Sequence, residues 1–386
     1  MALFEYFPNY IWNLSVAIAL ENGGKIGEIV DMCQPIREAA DNGEDTGTAE
    51  FLKEWVRKAD TLVELAEEDL EQGREFSAGP KLKRASIYYV TAERMQGFGH
   101  PGRMQTYKKA LDAFARGTQY TGDNVERVEI PYGDGKKLTG YLTLAEGGGP
   151  RPIVIFCNGL DSCKELLWLG GFPYALAKRG ISCLCVDQPG TGEALRLDEL
   201  PATYASEEWA SACVDWLEQQ DFVDPARIGM TGISLGGHYA PRAVAFEPRF
   251  ASGACWGANH DWAEVQQGRL KREGENPVPH YWNHVMWVFG ASDMDDFFAK
   301  AEGMNLNGVM EKIKVPFLVT HGAHDRQISI DYAQQSYDQL VNSPKRELKI
   351  FTDREGGVEH VGADNMSFGT DYIADWFAET LGGHTS

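Results

Sequence analysis

The sequence predicts an α/β protein built on a doubly wound, mostly parallel sheet, with a helical region ahead of it. Three observations carry this reading. Apolar runs alternate with helical patterns from about residue 125 onward, only helical periodicity precedes them, and Gly232-Ile-Ser-Leu-Gly-Gly237 joins a strand-like run to a helix-like one. At 386 residues the chain exceeds one ordinary compact unit. The division predicted is a helical cap or accessory region over 1–122 and an α/β catalytic domain over 123–386, with a lid-like insertion at about 258–313.

In the N-terminal region, Phe51, Trp55, Leu62, Leu65 and Ala66 recur at helical spacing among charged residues. A second helix is predicted over 80–96, ended by the cluster Gly97, Gly99, Pro101 and Gly102, and a third over 104–115. After Gly122 the period changes. Val128, Ile130 and Tyr132 alternate with polar residues, Asp134-Gly135 marks a turn, and 138–144 is again strand-like. Core strands are predicted at 153–156, 182–186, 228–231, 251–256, 317–320 and 348–351, with a helix over 207–219 behind Ser206 as N-cap. Between the strands near Ala251 and Phe317 lies a long excursion. Its segment 281–289, with Trp282 and Trp287, is too apolar for a solvated loop and should be helical. Packing against the N-terminal helices and a lid over an apolar substrate pocket are both compatible with it.

A formal net charge of −21 disfavours binding to nucleic-acid phosphates or anionic membranes and reads as solubility. Seven cysteines lie largely in apolar runs without metal-ligand spacing, so neither a zinc site nor a disulfide framework is expected, and a reducing cytoplasm is the simplest setting. The apolar run 11–20 is too short to span a bilayer.

The chemistry concentrates on Ser234. A GxSxG sequence between strand and helix forms a tight turn that exposes the serine hydroxyl, and the flanking glycines let strand and helix approach. A hydroxyl needs a base, and the base an orienting acid. Asp325 follows the 317–320 strand, and His360 follows the 348–351 strand and precedes a C-terminal helical pattern, giving the chain order serine, acid, histidine. His321, His324 and Asp353 are the competing residues. The backbone N–H of Leu235 and, after the first core strand, that of Leu160 are the predicted oxyanion donors, with Asn158 structural. Asp187-Gln-Pro-Gly-Thr-Gly192 is a turn after another core strand; a phosphate loop there would lack its lysine. No cofactor or metal is predicted.

Asn158-Gly159, Asp187-x-Pro-Gly190-x-Gly192, Gly232–Gly237, Asp325 and His360 together resemble the α/β-hydrolase superfamily over residues 125–386. With the helical region in front, the chain resembles the group of 2,6-dihydroxypseudooxynicotine hydrolase, the fermentation–respiration switch proteins and fungal polyketide chain-shortening hydrolases. The resemblance implies a pocket between core and cap, cleavage of a carbon–carbon bond beside a ketone, a homodimer, and an auxiliary carboxylate in the loop 257–264. Glu264 is the candidate there, Asp261 the second, and Trp282 a substrate-side aromatic. The ligand implied is an aromatic or polyketide-like small molecule. A carboxylesterase, lactonase or thioesterase using the same residues is the alternative, and a non-catalytic binding or regulatory protein of the same fold is the second.

Overall fold

The computed structural model describes residues 5–7, 9–41, 48–272 and 280–386. The chain separates into two compact units. One holds Ala2–Val125 with Asn276–His284, the other Glu126–Glu275 with Val285–Ser386.

The first unit is helical: α1 (Tyr10–Glu21), α2 (Ile26–Asp41), α3 (Thr48–Glu71), α4 (Glu75–Arg94) and α5 (Arg103–Thr121). Its core is a run of rings, Phe7, Trp12, Phe51, Trp55 and Tyr88, with Phe51 stacked on Trp55 one turn later at 5.1 Å. Of the predicted α3 face, Phe51, Trp55, Leu62 and Ala66 are buried, but Leu65 is 40% exposed. It lies at the edge of the stripe that the other four define. Helix α4 begins before Pro80. The carbonyl that Pro80 leaves unpaired belongs to Phe76, which is 84% exposed and open to water. Helices α4 and α5 approach at Gly79 and Gly117, where a Cβ on either would press on the other helix. Arg103 and Glu93, both buried, pair at 2.6 Å. The start of the 281–289 segment packs within this unit: the Phe98 N–H donates to Asn283 Oδ1 at 2.6 Å. Residues 273–279 of the predicted insertion lie outside the described residues.

The second unit is an eight-stranded sheet of order β1-β2-β4-β3-β5-β6-β7-β8. Strands β1 (Glu126–Tyr132) and β2 (Lys136–Thr143) form an antiparallel hairpin, and β2 lies antiparallel to β4 (Ser182–Asp187). The remaining pairs are parallel: β3 (Arg151–Cys157), β5 (Val223–Ile233), β6 (Phe250–Trp256), β7 (Phe317–Gly322) and β8 (Arg346–Phe351) complete the sheet. Every residue of β4 and β7 is buried, which is why these strands read as continuous apolar runs rather than alternating ones. Helix α15 (Met366–Leu381) packs on β5 and β6, where Gly229 makes room for Phe377 and Leu381.

The excursion after β6 contains α11 (Trp262–Arg272), α12 (Tyr281–Val288) and α13 (Met294–Ala301). It has its own aromatic core, with Trp262 stacked on Phe289 at 5.2 Å and both edge-on to Phe297. Ser206 is not an N-cap. It is the first residue of α9 (Ser206–Leu217), and its hydroxyl donates instead to the Tyr239 carbonyl at 2.8 Å. All seven cysteines are buried and unbridged. Among the described residues, no helix is long and apolar enough to cross a membrane.

Candidate active site

Strand β3 sits between β4 and β5, so the chain leaves it toward one side and later returns on the other. This reversal of direction lies between β3 and β5, and open α/β sheets place their ligands at the strand carboxyl ends of such a switch point. Two loops end there, Cys157-Asn-Gly159 after β3 and Ile233-Ser234 after β5.

Ser234 adopts φ +59, a left-handed conformation uncommon for a residue with a side chain. The sharp turn into α10 (Gly236–Phe246) enforces it. A Cβ at Gly232 would overlap the Gly236 carbonyl and Cys157, and one at Gly237 would overlap the Gly257 carbonyl. The Ser234 N–H donates to the Trp256 carbonyl at 2.9 Å, which ties the turn to β6.

The Ser234 hydroxyl lies 2.8 Å from His360 Nε2, and His360 Nδ1 lies 2.8 Å from Asp325 Oδ2. The carboxylate fixes the tautomer: Nδ1–H donates to Asp325, leaving Nε2 to accept from the serine. The other Asp325 oxygen accepts the N–H groups of Gln327 at 2.7 Å and Ile328 at 3.0 Å. Burial raises the pKa of this carboxyl, but the adjacent His360 and its hydrogen bond outweigh that, and the net shift of the pKa is downward. Asp325 therefore stays ionised. His360 opens a single 3-10 turn, His360–Gly362, whose second residue, Val361, has φ +51.

The competing residues are occupied elsewhere. His321 is buried, accepts the Ala258 N–H on Nδ1 and donates from Nε2 to the Ile328 carbonyl. Those two bonds require the neutral ring, and burial lowers its basicity accordingly. His324 pairs with Asp353 at 3.1 Å, both exposed.

The Leu235 N–H stands at the amino end of α10, and Leu160 follows Gly159, whose ideal Cβ would lie 3.0 Å from Ser234 Cβ and 3.4 Å from its Oγ. The β3 loop thus passes directly over the hydroxyl. Among the described residues neither N–H has a hydrogen-bond partner within the chain. Asn158 is tied into the fold, with Nδ2 donating to the Val186 carbonyl at 2.8 Å.

The structure does not bring the remaining candidates into the hydrogen-bond chain of Ser234. Asp261 accepts the Glu264 N–H at 2.9 Å at the start of α11 and bonds Asn305 with its other oxygen. Glu264 is exposed and accepts the Tyr332 hydroxyl at 2.6 Å. Trp282 belongs to the helical unit and meets Tyr281 edge-on.

Sequence reasoning missed a buried ionic cluster beside the β3 loop. Lys164 Nζ contacts Glu165 and Glu193 at 2.7 Å each and Asp187 at 3.1 Å, with Arg127 closing on Glu193. Nothing in a sequence distinguishes a fully buried lysine from a solvated one. Among the described residues no cluster of His, Cys, Asp and Glu is arranged to hold a metal ion.

Comparison with known proteins agrees with this architecture. The family model "Esterase FrsA-like" matches residues 43–272, and that of the prolyl oligopeptidase family matches residues 173–384. The alpha/beta hydrolase psoB of Aspergillus fumigatus is 30% identical over 420 residues, spanning 95% of this chain and 91% of that protein. The 2,6-dihydropseudooxynicotine hydrolase of Paenarthrobacter nicotinovorans is 26% identical over 309 residues, 78% of this chain and 77% of that one. The 20-hydroxy-prefusarin hydrolase FUS2 of Gibberella moniliformis is 26% identical, covering 87% of each chain. In fold, the crystal structure of 2,6-dihydroxy-pseudo-oxynicotine hydrolase superposes with a TM-score of 0.75 at 22% identity, covering 95% of both chains. The chain belongs to the esterase FrsA-like family and is a hydrolase of the α/β-hydrolase fold.

Proposed function

We propose that Ser234, His360 and Asp325 form a catalytic triad that hydrolyses a carbon–carbon bond beside a ketone in an aromatic or polyketide-like substrate. The observation that carries the triad is the continuous hydrogen-bond chain from the serine hydroxyl through both imidazole nitrogens to a buried carboxylate. His360 takes the serine proton as Oγ bonds to the ketone carbon, and the Leu160 and Leu235 N–H groups hold the oxyanion. Collapse breaks the carbon–carbon bond, and the imidazolium returns its proton to the leaving carbon. Water, activated by the same base, then releases the acyl group as a carboxylic acid. The leaving carbanion must be delocalised, which suits a second carbonyl or a phenolic ring.

The bond class is supported by the resemblance seen in the sequence and by relatives named as hydrolases of 2,6-dihydropseudooxynicotine and 20-hydroxy-prefusarin. Ester hydrolysis is the second reading, favoured by the esterase named in the matching family. A panel of aryl β-diketones and esters of the same acyl groups separates the two. Faster turnover of every ester would overturn the first. Under either reading Ser234→Ala lowers kcat by roughly 10⁴-fold or more and abolishes fluorophosphonate labelling. Retention of labelling would remove the triad.

Glu264, with Asp261 second, is the proposed contact to a substrate hydroxyl, and Trp282 a proposed substrate-side aromatic. Glu264→Gln should raise KM for a hydroxylated substrate and leave a plain aryl ester unaffected. Equal behaviour on both substrates would dismiss that role.

A further inference from the structure

We propose that Gln188 is a positioning residue that sets the oxyanion-binding loop after β3, acting through Asn158 and never touching substrate. The inference rests on the triad and oxyanion assignment above.

The β3–β4 ladder ends at the pair Cys157 and Val186. One residue beyond it, where two parallel strands normally diverge, the Gln188 side chain takes over as a substitute strand. Its Oε1 accepts the Asn158 N–H at 3.0 Å, and its Nε2 donates to the Asn158 carbonyl at 2.9 Å. Gln188 and Asn158 are both fully buried, so no water competes for these groups. The Asn158 side chain answers with bonds to the Val186 carbonyl and to Asp187 Oδ1.

The Asn158 carbonyl and the Gly159 N–H share one peptide plane, so clamping the carbonyl fixes the rotation of the chain entering Gly159. That rotation sets where the next N–H, that of Leu160, points. The tolerance is small, because at Gly159 the loop runs so near the nucleophile that even an added Cβ would press on Ser234. The far end of the loop is pinned by the neighbouring residue: Asp187 Oδ1 accepts the Lys164 N–H at 2.7 Å. Gln188 is itself held, since its carbonyl accepts both the N–H and the hydroxyl of Thr191. Consecutive residues at the end of β4 therefore fix both ends of the segment that supplies one oxyanion donor. Glutamine suits the position because its planar amide offers one acceptor and one donor together, matching the two groups of a peptide.

Two variants test this, measured with an aryl ester and with an aryl trifluoromethyl ketone, whose serine adduct carries the oxyanion. Gln188→Met keeps the volume and removes both bonds. The expected result is a fall in kcat of roughly 10- to 100-fold, a matching rise in Ki for the trifluoromethyl ketone, and KM within about twofold. Gln188→Glu places a carboxylate oxygen against the Asn158 carbonyl at neutral pH. Its protonated form reproduces the amide, donating from O–H and accepting on C=O. Activity relative to the parent protein should therefore rise as pH falls.

Unchanged kcat and Ki in Gln188→Met would overturn the proposal. So would kcat, KM and thermal stability declining together with no pH recovery in Gln188→Glu, since that pattern marks a purely structural residue. Loss of turnover in Ser234→Ala alongside parental behaviour of both Gln188 variants would reject the clamp alone. Persistence of turnover in Ser234→Ala would reject the site assignment beneath it.

Discussion

His238, four residues beyond Ser234, is fully buried on α10 and donates from Nδ1 to the Asn259 carbonyl at 3.1 Å. Its Nε2 has no partner among the described residues, so a second proton there would be a buried charge with no acceptor. Burial lowers its pKa to about 3 from the ordinary 6.5. Between those values the unfolded chain holds the proton and the folded chain does not, so acid draws the equilibrium toward unfolding. The stability His238 preserves is complete above 6.5 and is lost as pH falls toward 3. His238→Gln keeps one donor and cannot ionise, so its urea-unfolding free energy should decline less steeply than the parent's between pH 6.5 and 4. Parallel curves would show that His238 is not a source of acid sensitivity. Asp325, whose pKa is shifted downward by the adjacent imidazole and its hydrogen bond, is held as a carboxylate beside His360. Asp325→Asn should leave Ser234 in place while lowering kcat by about 10⁴-fold, because the amide no longer selects the Nδ1–H tautomer.

The ionic cluster joins four elements: β1 through Arg127, the end of β4 through Asp187, α6 (Lys164–Leu169) through Lys164 and Glu165, and α8 (Gly192–Arg196) through Glu193. Lys164 is the cation that three carboxylates share, and it also lies over the Tyr141 ring at 4.9 Å. Removing it leaves buried negative charges facing one another. Lys164→Met is expected to destabilise the protein by about 3–5 kcal/mol in urea titration. A loss below about 1 kcal/mol would mean that the carboxylates take up protons and relax. How far such features could be read from the sequence depends on what they contact. The parallel strands were legible because burial on both faces writes continuous apolar runs, as in β4 and β7. The Ser234 turn was legible because its backbone demands glycine at fixed positions. His360 and Asp325 followed from chain order. Gln188 was not, because its partners are the backbone groups of Asn158, which carry no residue identity. Lys164 was not, because its burial is a property of the assembled loops. Leu65 failed for a related reason: periodicity locates an apolar stripe but not its edge.

At the scale of the whole molecule, 36 basic against 57 acidic side chains leave a surplus of 21 negative charges. Many acidic residues sit in exposed or half-exposed pairs, such as Arg57 with Asp31, Lys137 with Glu129 and Lys345 with Glu379. Salt acts on these two populations in opposite directions. It weakens each exposed pair, but such pairs contribute only about 0–1 kcal/mol apiece. It also screens the repulsion among the unpaired carboxylates, which extends over many neighbours at low ionic strength. The Debye length falls from about 30 Å at 0.01 M salt to about 8 Å at 0.15 M, so most long-range repulsion disappears across that interval. The buried pairs Arg103–Glu93 and Lys164–Glu165 are shielded from solvent and should scarcely respond. Repulsion should therefore dominate the salt response, and Tm is expected to rise by several degrees between 10 and 150 mM sodium chloride at neutral pH. A falling Tm over the same range would show that the exposed pairs outweigh the net charge.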